Sequence, residues 1–178
     1  MTAGASRAKT AEPITVATRS VAETRSVAAA LRPLVRPGDL ILLGGDLGAG
    51  KTAFVQGLAA AMGVAGPVTS PTFTLVRAYD GSAGERLVHA DVYRLEHLQE
   101  VEDLGLAESL DDGAMAVIEW GEVAAPVLPG DHLEIRLEFG AGEEDRLVRL
   151  VPHGVRWCDP DWLSAARQAL AASEGAAQ

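Results

Sequence analysis

The chain is 178 residues long, 48% apolar, with a formal net charge of −10. Length and apolar content suit one domain with a sizeable core, and no run of about 18 apolar residues is present to cross a membrane. The acidic balance argues against a direct grip on nucleic acid, which normally takes a basic footprint. Cys158 is the single cysteine, so no internal disulfide can form.

Residues 1–13 are small and polar, which predicts a disordered segment; they lack the apolar core of a signal peptide, so a cytoplasmic location is expected. Ile14 to Thr18 alternates as an edge strand does. Ser20 followed by Glu23 matches a capping box, and Val21, Val27, Ala28 and Leu31 give the helix after it an apolar face. Pro33 ends or disturbs that helix, and Pro37-Gly38 turns the chain into the next strand.

Asp39 to Leu43 reads as a short buried strand. It runs into Gly45-Asp46-Leu47-Gly48-Ala49-Gly50-Lys51-Thr52, which satisfies G-x-x-x-x-G-K-[ST] at every fixed position. Phe54, Leu58, Ala61 and Met62 then share a helix face, with Gly63 placed to end it. In this strand–loop–helix context the glycines let backbone N–H groups approach phosphate oxygens. The helix start adds its positive dipole end. Lys51 is placed to reach the β- and γ-phosphates, and Thr52 to offer its hydroxyl to Mg²⁺. Of fifteen basic residues only Lys9 and Lys51 are Lys. A chain that otherwise uses Arg has a compact ammonium where a tight loop meets phosphate.

Val68 to Val76 favours a strand, with Pro71 confining its start to an edge or loop. Ser70, Thr72 and Thr74 either supply hydroxyls near phosphate and metal or simply belong to a threonine-rich edge. Tyr79-Asp80-Gly81-Ser82 predicts a turn, hence a hairpin. Leu87 to Ala90 is an apolar strand ending at Asp91, and Ala114 to Ile118 is another ending at Glu119 and Trp120. Each carboxylate can bind Mg²⁺ directly, act through a water, or orient the attacking water. Between them, Leu95 to Leu110 is acidic and helical in pieces. His132 to Phe139 and Arg146 to Val151 alternate as a hairpin, and Asp159 to Ala172 predicts a terminal helix opened by Pro160.

Four motifs, in order and rough spacing, resemble the bacterial TsaE family: Gly45 to Thr52; Ser70-Pro71-Thr72-Phe73; His89-Ala90-Asp91-Val92-Tyr93-Arg94; and Glu119-Trp120. The resemblance runs from about residue 14 to 151. It implies the small ATPase of bacterial tRNA threonylcarbamoyladenosine synthesis, using ATP and Mg²⁺ to reset a transferase made by TsaB and TsaD, with tRNA met only through those partners. It implies that Gly45 to Thr52 bind the nucleotide phosphates, that Thr52 and Glu119 form the Mg²⁺ side with Asp91 a further acid near the metal, and that Ser70 to Phe73 form a switch-like loop. Trp120 is placed beside the site, Tyr93 and Arg94 near it, and Thr24 near the nucleotide. Lys51, Asp91 and Glu119 are the expected catalytic set. Arg94 either stabilises the transferring phosphoryl group or pairs with a carboxylate. Gly121 stands where the family usually has Pro, which is expected to loosen that loop. The tail, 153–178, carries a short helix and no assigned function.

The fold these readings imply is α/β: a P-loop NTPase domain over 14–152, with a mostly parallel central sheet flanked by helices and a C-terminal β-hairpin. A small-molecule kinase with Asp91 as base is the alternative, although no Arg-rich lid insertion is evident. A GTPase is opposed by the absence of any Asn, which N-K-x-D base recognition requires.

Overall fold

A computed structural model describes residues 9–175. Seven strands form one sheet in the order β1-β7-β6-β2-β5-β4-β3. They are β1 (Ile14–Thr18), β2 (Leu40–Gly44), β3 (Val76–Asp80), β4 (Arg86–Asp91), β5 (Met115–Glu119), β6 (His132–Phe139) and β7 (Arg146–His153). The four central strands, β6-β2-β5-β4, run parallel. The edges are antiparallel, with β3 on β4 at one side and β7 and β1 beyond β6 at the other.

The two innermost strands, β2 and β5, are buried along their whole length and apolar up to Glu119 because both faces are covered. Ile41 and Leu43 of β2 face a core with α1 (Val21–Leu31), α2 (Lys51–Ala61) and the C-terminal helices α5 (Gly154–Trp157) and α6 (Pro160–Gly175). Leu40 and Leu42 face the opposite core, closed by α3 (Leu98–Glu102) and α4 (Leu106–Asp111). The period-2 alternation of a strand therefore splits β2 between two hydrophobic layers.

At the start of α1, Ser20 Oγ accepts from Glu23 N–H at 3.2 Å, and Glu23 in turn accepts from Arg19 N–H at 2.7 Å. The box closes one residue earlier than its standard form. Val27, Ala28 and Leu31 are buried as expected, whereas Val21 is exposed.

Two expectations are corrected in the segment before β4. Residues 68–75 form no strand; the chain loops, turns at Thr72–Thr74 and enters β3 only at Val76. Pro71 cannot donate to a ladder, the Ser70 and Thr72 hydroxyls are drawn inward, and Leu75 takes φ +65. Tyr79 and Asp80 belong to β3, paired with Leu87 and Arg86, so the hairpin turn lies beyond them.

Residues 1–8 of the segment expected to be disordered lie outside the described residues. Lys9 and Thr10 are held: Thr10 bridges His153, and Lys9 C=O accepts from Gly154 N–H at 2.7 Å. The C-terminal segment is packed into the main core. Trp157 and Trp162 meet edge-to-face at 5.0 Å, with Ala166 and Leu170 buried beyond them. Arg156 binds Asp39 at 3.0 Å and Leu34 C=O at 2.7 Å, fastening α5 to the strand that leads into the phosphate loop. Trp157→Ala should therefore cost about 3–5 kcal/mol of folding stability in urea melts; a loss under about 1 kcal/mol would contradict a core role.

Candidate nucleotide site

β2 ends at Gly44, and the loop that follows feeds directly into α2 with no side-chain cap. Gly45 (φ +129) has no room for a Cβ, which would run into the Leu137 carbonyl oxygen, and Gly50 (φ +105) is left-handed. Both conformations demand glycine. The first turn of α2 thus presents its backbone N–H groups to the cleft as an anion site.

Lys51 is buried and folds back over this loop. Its Nζ donates to Gly45 C=O at 2.5 Å and Asp46 C=O at 2.9 Å, and lies 3.7 Å from the centre of the Trp120 ring. Burial pushes its pKa below the ordinary lysine value, opposed by the charges of Glu119, Glu122, Asp91 and Asp46. Trp120 reaches Lys51 because it takes φ +60 immediately after β5, laying its indole across the loop and against Tyr93 at 4.8 Å.

Parallel pairing of β4 and β5 sets Asp91 directly opposite Glu119. Glu119 Oε1 accepts from Thr52 Oγ1 at 2.9 Å and contacts His89 Nε2 at 2.8 Å. Asp91 Oδ2 accepts from Ser70 Oγ at 2.8 Å and Thr72 Oγ1 at 2.6 Å, and its Oδ1 accepts from Tyr93 N–H at 3.0 Å. The two acids therefore differ in their surroundings. Glu119 is joined to the phosphate loop through Thr52, while Asp91 fastens the Ser70–Phe73 loop to the sheet.

These groups line a cavity of about 370 Å³ that includes Lys51, Thr52, Ser70, Asp91 and Glu119. Leu47, which also lines it, is exposed, as is Phe73 next to Thr72. Thr24 is buried with its Oγ1 3.0 Å from that of Thr18, and its methyl backs Gly50. Arg94 lies over the Phe73 ring at 4.4 Å and, among the described residues, makes no ion pair. Gly121 does not loosen its loop: it is buried in a 3-10 turn, and a Cβ there would come within 2.8 Å of Leu42 Cβ. The missing side chain lets that turn pack closely on β2.

His89 was not among the expected site residues, although its position was legible. It sits two residues before Asp91 on β4 and so shares its face of the strand. It is completely buried, and among the described residues its Nδ1 has no partner. With Nε2 as the protonated nitrogen, a neutral ring donates to Glu119 and leaves only an acceptor unsatisfied.

The donor set fits a magnesium nucleotide. Four carboxylates act on Lys51, so the negative charge around it opposes a bare triphosphate. A divalent cation between phosphate and carboxylate resolves that conflict. Among the described residues no group of three or more His, Cys, Asp or Glu side chains can hold a metal unaided. A Thr hydroxyl and one carboxylate, completed by phosphate oxygens and water, are the ligands Mg²⁺ commonly takes.

A glycine loop between a buried central strand and a helix, with Lys51 and Thr52 at the helix start and acids at neighbouring strand ends, defines a P-loop NTPase fold. The family model for "Threonylcarbamoyl adenosine biosynthesis protein TsaE" matches residues 18–148, and the chain belongs to the TsaE family. The TsaE protein of Streptomyces coelicolor is 43% identical over 142 residues, covering 77% of this chain and 95% of that protein. The TsaE protein of Bacillus subtilis is 38% identical over 135 residues, covering 76% and 83% respectively. The crystal structure of Bacillus subtilis YdiB superposes with a TM-score of 0.73 at 29% identity, covering 93% of this chain and 98% of that one.

Proposed function

We propose that this chain is a Mg²⁺-dependent ATPase that serves threonylcarbamoyladenosine modification of tRNA in the cytoplasm, binding and hydrolysing ATP to drive or reset the TsaB–TsaD transferase. The observation that carries this reading is the direct Thr52–Glu119 contact at the start of α2, within a TsaE-family chain. Bound Mg²⁺ would supply charge neutralisation between the β- and γ-phosphates and the acids. Thr52 and Glu119 would hold it, and Lys51 would exchange the loop carbonyls for phosphate oxygens. Loop and helix N–H groups would cradle the phosphates, while His89 keeps Glu119 oriented. ATP binding measured by calorimetry should strengthen on adding Mg²⁺; no heat with either would contradict the reading.

Asp91 is a positioning residue on this account. Its oxygens accept from two hydroxyls and a backbone N–H, contacts that favour an anchoring role over that of a kinase's base. Asp91→Asn replaces charge-assisted bonds with weaker ones. Turnover should fall at least about tenfold with ATP affinity nearly unchanged. Full turnover in a phosphate-release assay would show that the Ser70–Phe73 loop does not need this anchor.

Turnover by the chain alone should be slow. Lys51 is the cation at the phosphates, and Arg94 rests on Phe73 instead of the cleft. A stimulating partner would supply or reposition the missing charge and water-orienting group, as partners do for other P-loop enzymes. The acidic chain fits a protein partner that itself holds the RNA.

A further inference from the structure

We propose that Arg146 is a positioning residue for the phosphate loop, holding the backbone of Gly48 and Ala49 from behind so that the loop keeps its shape when Lys51 turns to a nucleotide. The proposal rests on the nucleotide-binding reading above. Arg146 opens β7, with Thr18 and Phe139 as its cross-strand neighbours, so the sheet places it at the edge of the loop. Its Nε donates to Ala49 C=O at 3.1 Å and one terminal nitrogen donates to Gly48 C=O at 3.2 Å. The other terminal nitrogen donates to Glu143 C=O at 2.8 Å and Asp145 C=O at 2.7 Å, within its own hairpin turn. The guanidinium lies over Phe139 at 4.5 Å.

A chain with 25 acidic residues has here an arginine that, among the described residues, pairs with no carboxylate and spends its donors on backbone carbonyls. The geometry gives those bonds a consequence. In a trans peptide the C=O and N–H point in opposite directions. Fixing the Gly48 and Ala49 carbonyls on the hairpin side directs the N–H groups of Ala49 and Gly50 the other way. Ala49 N–H closes the loop on Asp46 C=O at 3.1 Å, and the same peptide geometry leaves Gly50 N–H facing away from the hairpin.

The loop thus has two cationic holds, on different carbonyls. Lys51 grips Gly45 and Asp46 from inside, and Arg146 grips Gly48 and Ala49 from outside. A phosphate competes only for Lys51. Arg146 remains in place and spares the loop the cost of reordering at the moment of binding, which is preorganisation.

The test compares ATP and ADP affinity by calorimetry for the unaltered chain, Arg146→Lys, Arg146→Ala, and Arg149→Ala as control. Arg149 lies on the same strand and, among the described residues, forms an ion pair only with Glu138 at 3.3 Å. Arg146→Ala should weaken both nucleotides about tenfold or more, equally, because the held segment serves phosphates the two share. Arg146→Lys should be nearly as weak, since a single ammonium cannot bridge the Gly48 and Ala49 carbonyls to those of Glu143 and Asp145 as the planar guanidinium does. Millimolar guanidinium should restore much of the affinity of Arg146→Ala and leave Arg149→Ala unaffected, a response that a general loss of hairpin stability would not give. Unchanged affinity in Arg146→Lys, or no rescue by guanidinium, overturns the proposal. If the unaltered chain binds neither nucleotide, the phosphate-loop reading itself fails, which is a separate outcome.

Discussion

Lys51→Ala is expected to lower ATP affinity by about one to two orders of magnitude, the scale of a lost charge-assisted contact to phosphate. The structure gives two reasons for placing the effect at the upper end. Lys51 is surrounded by Asp46, Asp91, Glu119 and Glu122, so its removal leaves four carboxylates facing an incoming polyanion without the ammonium that offsets them. It also holds Gly45 and Asp46 carbonyls, and their release loosens the first half of the loop. Arg at this position should not rescue, because a planar fork does not fit where a compact ammonium sits beneath the Trp120 ring. Calorimetry with ATP and Mg²⁺ decides the matter; unchanged affinity would sink the assignment of the phosphate loop.

Glu119→Ala is expected to lower Mg²⁺-dependent hydrolysis on the order of a hundredfold or more while sparing much of the nucleotide affinity. One oxygen of Glu119 gathers the Thr52 hydroxyl and the His89 ring. Alanine removes the charge and also leaves the buried His89 ring without this partner, at about 1–3 kcal/mol of stability. Glu119→Gln separates the effects: it keeps the side chain's shape and an oxygen acceptor while removing the charge. Hydrolysis should be lost in both variants, with the Gln form retaining near-normal thermal stability. ATP affinity measured without Mg²⁺ should rise slightly in both, because one carboxylate fewer opposes the phosphates. Full turnover of either variant in Mg²⁺ would exclude Glu119 as a metal ligand or base.

Much of the fold was legible because the signals were local. The phosphate loop is fixed by side-chain chemistry at adjacent positions, and β2, β4 and β5 are short apolar runs ended by Gly44, Asp91 and Glu119. The Val68–Val76 misreading has a clear cause: threonine and valine favour strands, but the Ser70 and Thr72 hydroxyls have a better partner in Asp91, nineteen and more residues away. Propensity does not register a distant carboxylate. The roles of His89 and Arg146 were hidden for the same reason. Each depends on strand register across the sheet, which places His89 beneath Glu119 and Arg146 behind Gly48. Parallel pairing at the centre with antiparallel edges was likewise only half visible, since alternation signals a strand and not its neighbour. The C-terminal helix was expected over nearly its observed span, yet its burial through Trp162, Ala166 and Leu170 became plain only once α1 was in place beneath it.

The central claim is that this chain turns over ATP in the service of a transferase partner. The most direct measurement is the rate of ATP hydrolysis by the purified chain, alone and with TsaB and TsaD from the same host, with Lys51→Ala as the blank. The account predicts slow turnover alone, strong stimulation by the pair and none for the variant. Turnover of tens per second by the chain alone, the pace of a self-sufficient enzyme, or no response to the pair together with phosphorylation of a small hydroxyl compound, would contradict it.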